Sequence, residues 1–305
     1  MIANRIAYGE TLVSLAEEKP ELMVLDADAC KSTGTLVCQQ KIPKQFIQCG
    51  IAEQNMVGVA AGLAACGKIA FAATFGVFTS MRAVEQLRNT VCYSNLNVKI
   101  GGTHAGLETG GDGGTHQAIE DIAIIRALPR MSLVIPSSPN ATRKLTRLAA
   151  ETYGPFYIRL GKDPTEELYD ENEMFPLGGS KELHKGNDAT IIACGNMVGR
   201  ALEAAKLLEK QGKQVRVIDM YSIKPIDKDS IICAAKETGG IITVEDHSII
   251  GGLGGAVCEV VSENAPAKVI RMGLKDVFGR SGDPASLYEM FGLTAEKIAE
   301  AVNAL

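Results

Sequence analysis

Two of the four histidines in this 305-residue chain, His104 and His116, fall inside one glycine-rich segment. It reads Gly101-Gly-Thr-His-Ala-Gly-Leu-Glu-Thr-Gly-Gly-Asp-Gly-Gly-Thr-His-Gln117 and also carries Glu108 and Asp112. Imidazoles donate, accept or shuttle protons near neutral pH, and glycines let a backbone approach a ligand closely. A loop whose histidines are merely exposed is the plain alternative. A second concentration of chemistry is Gly50-Ile-Ala-Glu-Gln-Asn-Met-Val-Gly-Val-Ala-Ala-Gly-Leu63, where Glu53 heads an otherwise apolar, small-residue helical stretch. A carboxylate there serves catalysis or simply favours the helix dipole. The third is Ala72-Ala-Thr-Phe-Gly-Val-Phe78, which puts Phe75 and Phe78 beyond a strand, to pack in the core or to stack on a flat ligand.

The elements that must position these residues are legible as an alternation. Short apolar, β-rich runs fall at 22–26, 46–49, 69–75, 98–101, 132–135 and 156–160, with helical patterns between them, notably 53–65 and 78–92. Ser138-Pro139 reads as a helix cap followed by proline in the first turn. Residues 163–185 are acidic and then Pro/Gly-containing, with neither period. Beyond them strands are expected at 189–194, 214–218, 240–244 and 267–272, and helices at 197–211, 227–237, 253–262 and 294–302. This predicts an α/β protein of two domains, each a mainly parallel sheet flanked by helices. The expected division is 1–165, a linker 166–185, and 186–305. In such sheets ligands gather beyond the C-terminal ends of the strands, where the 101–117 loop begins.

Composition narrows the function classes. Hydrophobic residues make up 46% and charged residues 22%, a globular balance. A net charge of -5 gives no basic field to draw nucleic acid. No run approaches a membrane span, and residues 1–18 carry charges without an apolar signal core, so a soluble cytoplasmic protein is expected. None of the eight cysteines is spaced for zinc; they read as small reduced core residues.

Taken together, the motifs resemble the transketolase family. Ile51-Ala-Glu-Gln-Asn-Met56 is similar to its glutamate motif, and Thr74-Phe-Gly-Val-Phe78 to its aromatic pair beside the cofactor ring. His104, Asp112 and the following Gly-Gly-Thr-His116-Gln resemble its substrate loop in order and spacing. Glu245-Asp-His-Ser248, Gly251-Gly-Leu-Gly-Gly255 and Ser281-Gly-Asp-Pro284 resemble its last domain, so the likeness spans essentially the whole chain. The resemblance implies a pyrimidine-binding domain followed by a C-terminal domain. The pyrophosphate-binding domain would lie on a separate N-terminal transketolase subunit, in a two-plus-two heterotetramer. Thiamine diphosphate would then be shared between subunits, with Mg²⁺ or Ca²⁺ held by the partner and no metal ligand here. Gly111-Asp-Gly113 followed by Asn140 imitates the family's metal motif but lies in the substrate loop.

The same resemblance assigns roles. Glu53 would favour the imino tautomer of the aminopyrimidine, and Phe75, Phe78 and Asp28 would contact the cofactor. His104 and His116 would meet the donor hydroxyls and developing alkoxide, and Asp112 an acceptor hydroxyl. Arg5 and Ser32 would hold a sugar phosphate, with Arg159 and Lys162 adding cations at the same end. Two departures stand out: Met81 where many members carry a third aromatic, and Lys162 where they carry arginine. Rival readings are the beta subunit of a 2-oxo acid dehydrogenase, a deoxyxylulose phosphate synthase and a regulatory subunit without activity. The 106–116 segment favours transketolase or the synthase. Glu53 with both loop histidines speaks against an inactive subunit.

Overall fold

A computed structural model describes residues 1–305. The first sheet has seven strands in the order Ser222–Lys224, Ser132–Val134, Phe156–Arg159, Val98–Thr103, Ile69–Phe75, Leu22–Asp26 and Phe46–Gln48. All neighbours are parallel except the first pair. The second sheet orders Val269–Leu274, Ile241–Ser248, Ala189–Ala193, Val215–Asp219 and an antiparallel edge, Lys181–His184. Mainly parallel sheets flanked by helices are therefore the architecture. The central strands are buried on both faces because helices cover both, as a parallel sheet requires.

Many expected elements stand where their residues favour them. Helix Glu53–Ala65 has the expected bounds, and Ser138 caps helix Pro139–Glu151 by accepting from Ala141 N with proline in the first turn. Asp227 and Thr294 cap helices Lys228–Glu237 and Ala295–Asn303 in the same way.

Three expectations are corrected. The 78–92 helix is two π-helical segments, Phe78–Arg82 and Gln86–Cys92, whose wide turns are frequent at functional sites. The 163–185 stretch is not strandless, since Pro164–Thr165 pairs with Ile2–Ala3 and Lys181–His184 edges the second sheet. The strand Ser222–Lys224 was not anticipated. It leaves the second unit to close the edge of the first sheet. All eight cysteines are free, but Cys66 and Cys233 are exposed rather than in the core.

One close approach fixes the entrance of the first unit. A Cβ on Gly9 would lie 2.0 Å from Gly34 O, and one on Gly34, whose φ is +83°, would lie 2.1 Å from Arg5 O. Only glycine at both positions lets helix Asn4–Glu18 settle on the turn after Cys30–Thr33. That contact brings Arg5 to Ser32.

Candidate active site

The C-terminal ends of two neighbouring strands converge on one array. Phe75 ends strand Ile69–Phe75, and Phe78 follows it at the start of a π-helical turn. Their rings stack with centroids 5.7 Å apart and planes within 6°. His104, just beyond strand Val98–Thr103, lies 4.0 Å from Phe75 and parallel to it within 7°. His116 meets both phenylalanines edge-on, at 6.1 and 5.4 Å. Both phenylalanines are half-buried, so their remaining surface is open to a ligand.

The array continues to the carboxylate. Arg82 lies one π-turn beyond Phe78, with its guanidinium carbon 4.3 Å from that ring's centroid. Its Nη1 donates to Glu53 Oε1 at 2.8 Å. Glu53 is only 3% exposed, while the arginine is half-exposed. Gln54 Nε2 donates to Arg82 O, which locks the π-turn to the glutamate helix. Arg82 was missed in the sequence, although its spacing of four from Phe78 was a usable signal.

The histidine loop is held by its own threonines. Thr103 Oγ1 and His104 Nδ1 are 3.1 Å apart, Thr109 Oγ1 donates to His104 O at 2.7 Å, and Thr115 Oγ1 meets His116 Nδ1 at 2.9 Å. His104 has a left-handed φ of +55°, rare away from glycine and here enforced by the loop around it. Burial drives the His104 pKa down to about 4, aided by the charges of Arg5 and Lys162 and opposed by Asp112. Its ring is therefore neutral at physiological pH, a hydrogen-bond partner rather than a cation.

That shift sets a pH dependence. Between about 6.5 and about 4 the unfolded chain binds a proton at His104 that the folded chain refuses, so stability rises with pH across that window and is lost on acidification. The loss from this one ring is on the order of 3 kcal/mol. Burial raises Glu108 to about 7, which has the opposite sign: stability falls as pH rises from about 4.5 towards 7. His104→Gln is expected to lose less stability than wild type between neutral and acidic pH in urea unfolding. Equal acid-side losses in both proteins would remove His104 as the source.

The remaining expected residues divide. Arg5 donates Nε to Lys162 O and Nη1 to Lys31 O and Ser32 O, so Arg5, Ser32 and Lys162 share one rim and Arg5 Nη2 is left over. Lys162 Nζ donates to Thr109 O, joining that rim to the histidine loop. Asp112 is exposed on the loop, close enough for its charge to act on His104. Asp28 is exposed beyond Leu22–Asp26 at φ +61°, its N–H donating to Gln48 Oε1, without contact to the aromatic array.

Arg159 is corrected. The expectation was a cation for phosphate; its side chain is instead 5% exposed and pairs with the fully buried Asp121 at 2.8 Å. Nη2 donates to Ala118 O and Asp246 O. Burial pulls its pKa down, but the Asp121 charge and hydrogen bonds hold it above the usual arginine value. It faces inward because its partner is there.

Comparison with known proteins shows the family. Residues 1–166 match the model of the transketolase pyrimidine binding domain, and residues 178–298 that of the transketolase C-terminal domain. The chain belongs to the transketolase family. It is 46% identical to a transketolase C-terminal section of Methanocaldococcus jannaschii over 98% of this chain and 94% of that one. It is 39% identical to a 6-deoxy-6-sulfo-D-fructose transketolase subunit of a Clostridium species, over 98% and 93%. A solved split gene transketolase, described as an inactive beta4 tetramer, superposes with a TM-score of 0.93 at 48% identity. That match covers 100% of this chain and 98% of the other. Transketolases are thiamine diphosphate-dependent transferases. No helix here is long and apolar enough to cross a membrane.

Proposed function

We propose that this chain is the C-terminal subunit of a two-chain transketolase, moving a two-carbon ketol unit from a ketose phosphate to an aldose phosphate. The observation that carries this reading is the single array of buried Glu53, the Phe75–Phe78 stack, His104 and His116. Its near end-to-end match to separately encoded subunits supports the two-chain arrangement.

The donor set fits one end of thiamine diphosphate. A buried carboxylate beside half-open aromatic faces suits an aminopyrimidine, which needs a charged acceptor and a flat surface. When bound, the cofactor supplies the nucleophilic carbon and the electron sink for carbon–carbon cleavage. Glu53 would hold the proton exchanged with the pyrimidine ring, and the phenylalanines would orient that ring. His116 and neutral His104 would bind the donor's hydroxyls, and exposed Asp112 an acceptor hydroxyl. By the family resemblance, diphosphate and its Mg²⁺ or Ca²⁺ would lie on the N-terminal subunit, in a two-plus-two heterotetramer.

The Arg5–Ser32–Lys162 rim would take the anionic tail of the sugar. Charge-assisted hydrogen bonds are worth about 1.5–3 kcal/mol, so Arg5→Ala is expected to raise KM for ketose phosphates by roughly 10- to 150-fold. Hydroxypyruvate, which has no such tail, should be little affected. Steady-state kinetics with both donors checks this, and equal losses would make Arg5 structural.

Reconstitution tests the function itself. The chain alone should show no ketol transfer and weak cofactor binding by calorimetry. Adding the N-terminal subunit, thiamine diphosphate and Mg²⁺ should produce turnover, with assembly tightened by the cofactor. Turnover and tight metal-dependent cofactor binding by the isolated chain would overturn the two-chain reading.

A further inference from the structure

The histidine loop is pinned from behind by a carboxylate of the second unit. Asp246, on strand Ile241–Ser248, is 1% exposed, and both of its oxygens accept from Leu107 N, at 2.9 and 3.0 Å. Asn196 Nδ2 and Tyr288 OH donate to Oδ2 at 3.1 and 2.8 Å, so three donors converge on this carboxylate. Gly106 has φ +73°, and a Cβ there would lie 2.3 Å from the Asp246 carboxyl carbon. The backbone is therefore pressed onto the carboxylate at a position where only glycine fits. Two residues before Gly106 stands His104, with its left-handed backbone and its ring on Phe75.

We infer that Asp246 is a positioning residue, which reaches across from the C-terminal unit to fix the loop that presents His104, Asp112 and His116. It touches none of the reacting groups; it acts through Leu107 N. A carboxylate is needed because three donors converge on it. All three reach Oδ2, and Leu107 N also reaches Oδ1, so an amide would set its own N–H against the Leu107 N–H and lose the two-oxygen grip on the loop. The C-terminal unit thus has a part in the reaction without contributing a group to it. The catalytic meaning of this inference rests on the proposed function.

The test has two readouts. Asp246→Asn is made in the full chain, and the His104 ring is titrated by ¹³C and ¹⁵N NMR, with His104→Gln to assign it. Wild type should stay neutral down to about pH 4. A loosened loop admits water to the ring, which should then titrate higher by roughly one pH unit or more. Arg5, Lys162, Asp112 and His116, whose charges face His104, are unchanged in this variant. In the reconstituted enzyme, kcat/KM for the ketose donor should fall tenfold or more while cofactor affinity stays within twofold. A destabilisation without a specific role would leave the His104 titration where it is, and that result overturns the inference. Should Asp246→Asn not fold, Tyr288→Phe keeps the carboxylate but frees its Oδ2, and must shift His104 in the same direction by less; no shift again overturns it. Absence of ketol transfer by the wild-type complex would defeat the proposed function, and the His104 titration would still decide Asp246.

Discussion

Glu53→Gln in the reconstituted enzyme is expected to lower ketol-transfer turnover by roughly 100- to 10,000-fold, the range for removing a positioned acid–base group. The substitution keeps the volume of a side chain that is 3% exposed, and its amide oxygen still accepts from Arg82. Folding should therefore survive, with an unchanged melting temperature and a normal circular dichroism spectrum. What disappears is the negative charge, and with it the ability to exchange a proton with the pyrimidine ring. Hydrogen–deuterium exchange at C2 of added cofactor should slow in parallel, while calorimetric cofactor affinity falls far less than turnover because the aromatic faces remain. Exchange at the wild-type rate would remove Glu53 from the proposed chemistry.

The second large effect is on stability. Asp121→Ala leaves Arg159 charged, buried and unpaired, which should lower the unfolding free energy by about 3–5 kcal/mol. Replacing both partners, Asp121→Leu with Arg159→Met, should recover most of that loss, since a pair of buried charges costs much of what its attraction returns. Denaturant melts of the three chains distinguish the cases. A single mutant as stable as wild type would mean that Arg159 finds water or another acceptor.

Much of this site was readable because its signals are local. The strand run ending at Phe75, the helix beginning at Glu53 and the His104–His116 spacing all lie within short windows, and the structure brings their chemical groups to one array. Arg159 was misread because the direction in which a strand-end side chain turns depends on its partner, and Asp121 lies 38 residues away. Asp246 was visible only as part of a family-like motif; its contact with Leu107 spans 139 residues, beyond any periodicity. The π-helical turns were hidden because residues 78–92 carry ordinary α-helical spacing, and it is the pairing of Arg82 with Glu53 that rewards the wider turn. Lys181–His184 is a half-exposed edge strand, so it lacks the continuous apolar run that marks the central ones.

The strand Ser222–Lys224 has a consequence for how the chain is made. Synthesis proceeds from the N-terminus at about 5–20 residues per second, and domains generally fold as units as they emerge. Here the first sheet cannot finish when its own stretch has left the ribosome, because the Ser132–Val134 edge waits for residues that come after three strands of the second sheet. During that interval the nascent chain carries an open, apolar strand edge, the feature that invites pairing with a neighbouring chain on the same message. The same borrowed strand makes the two units poor candidates for separate expression: a fragment cut between them leaves that edge bare for its whole lifetime.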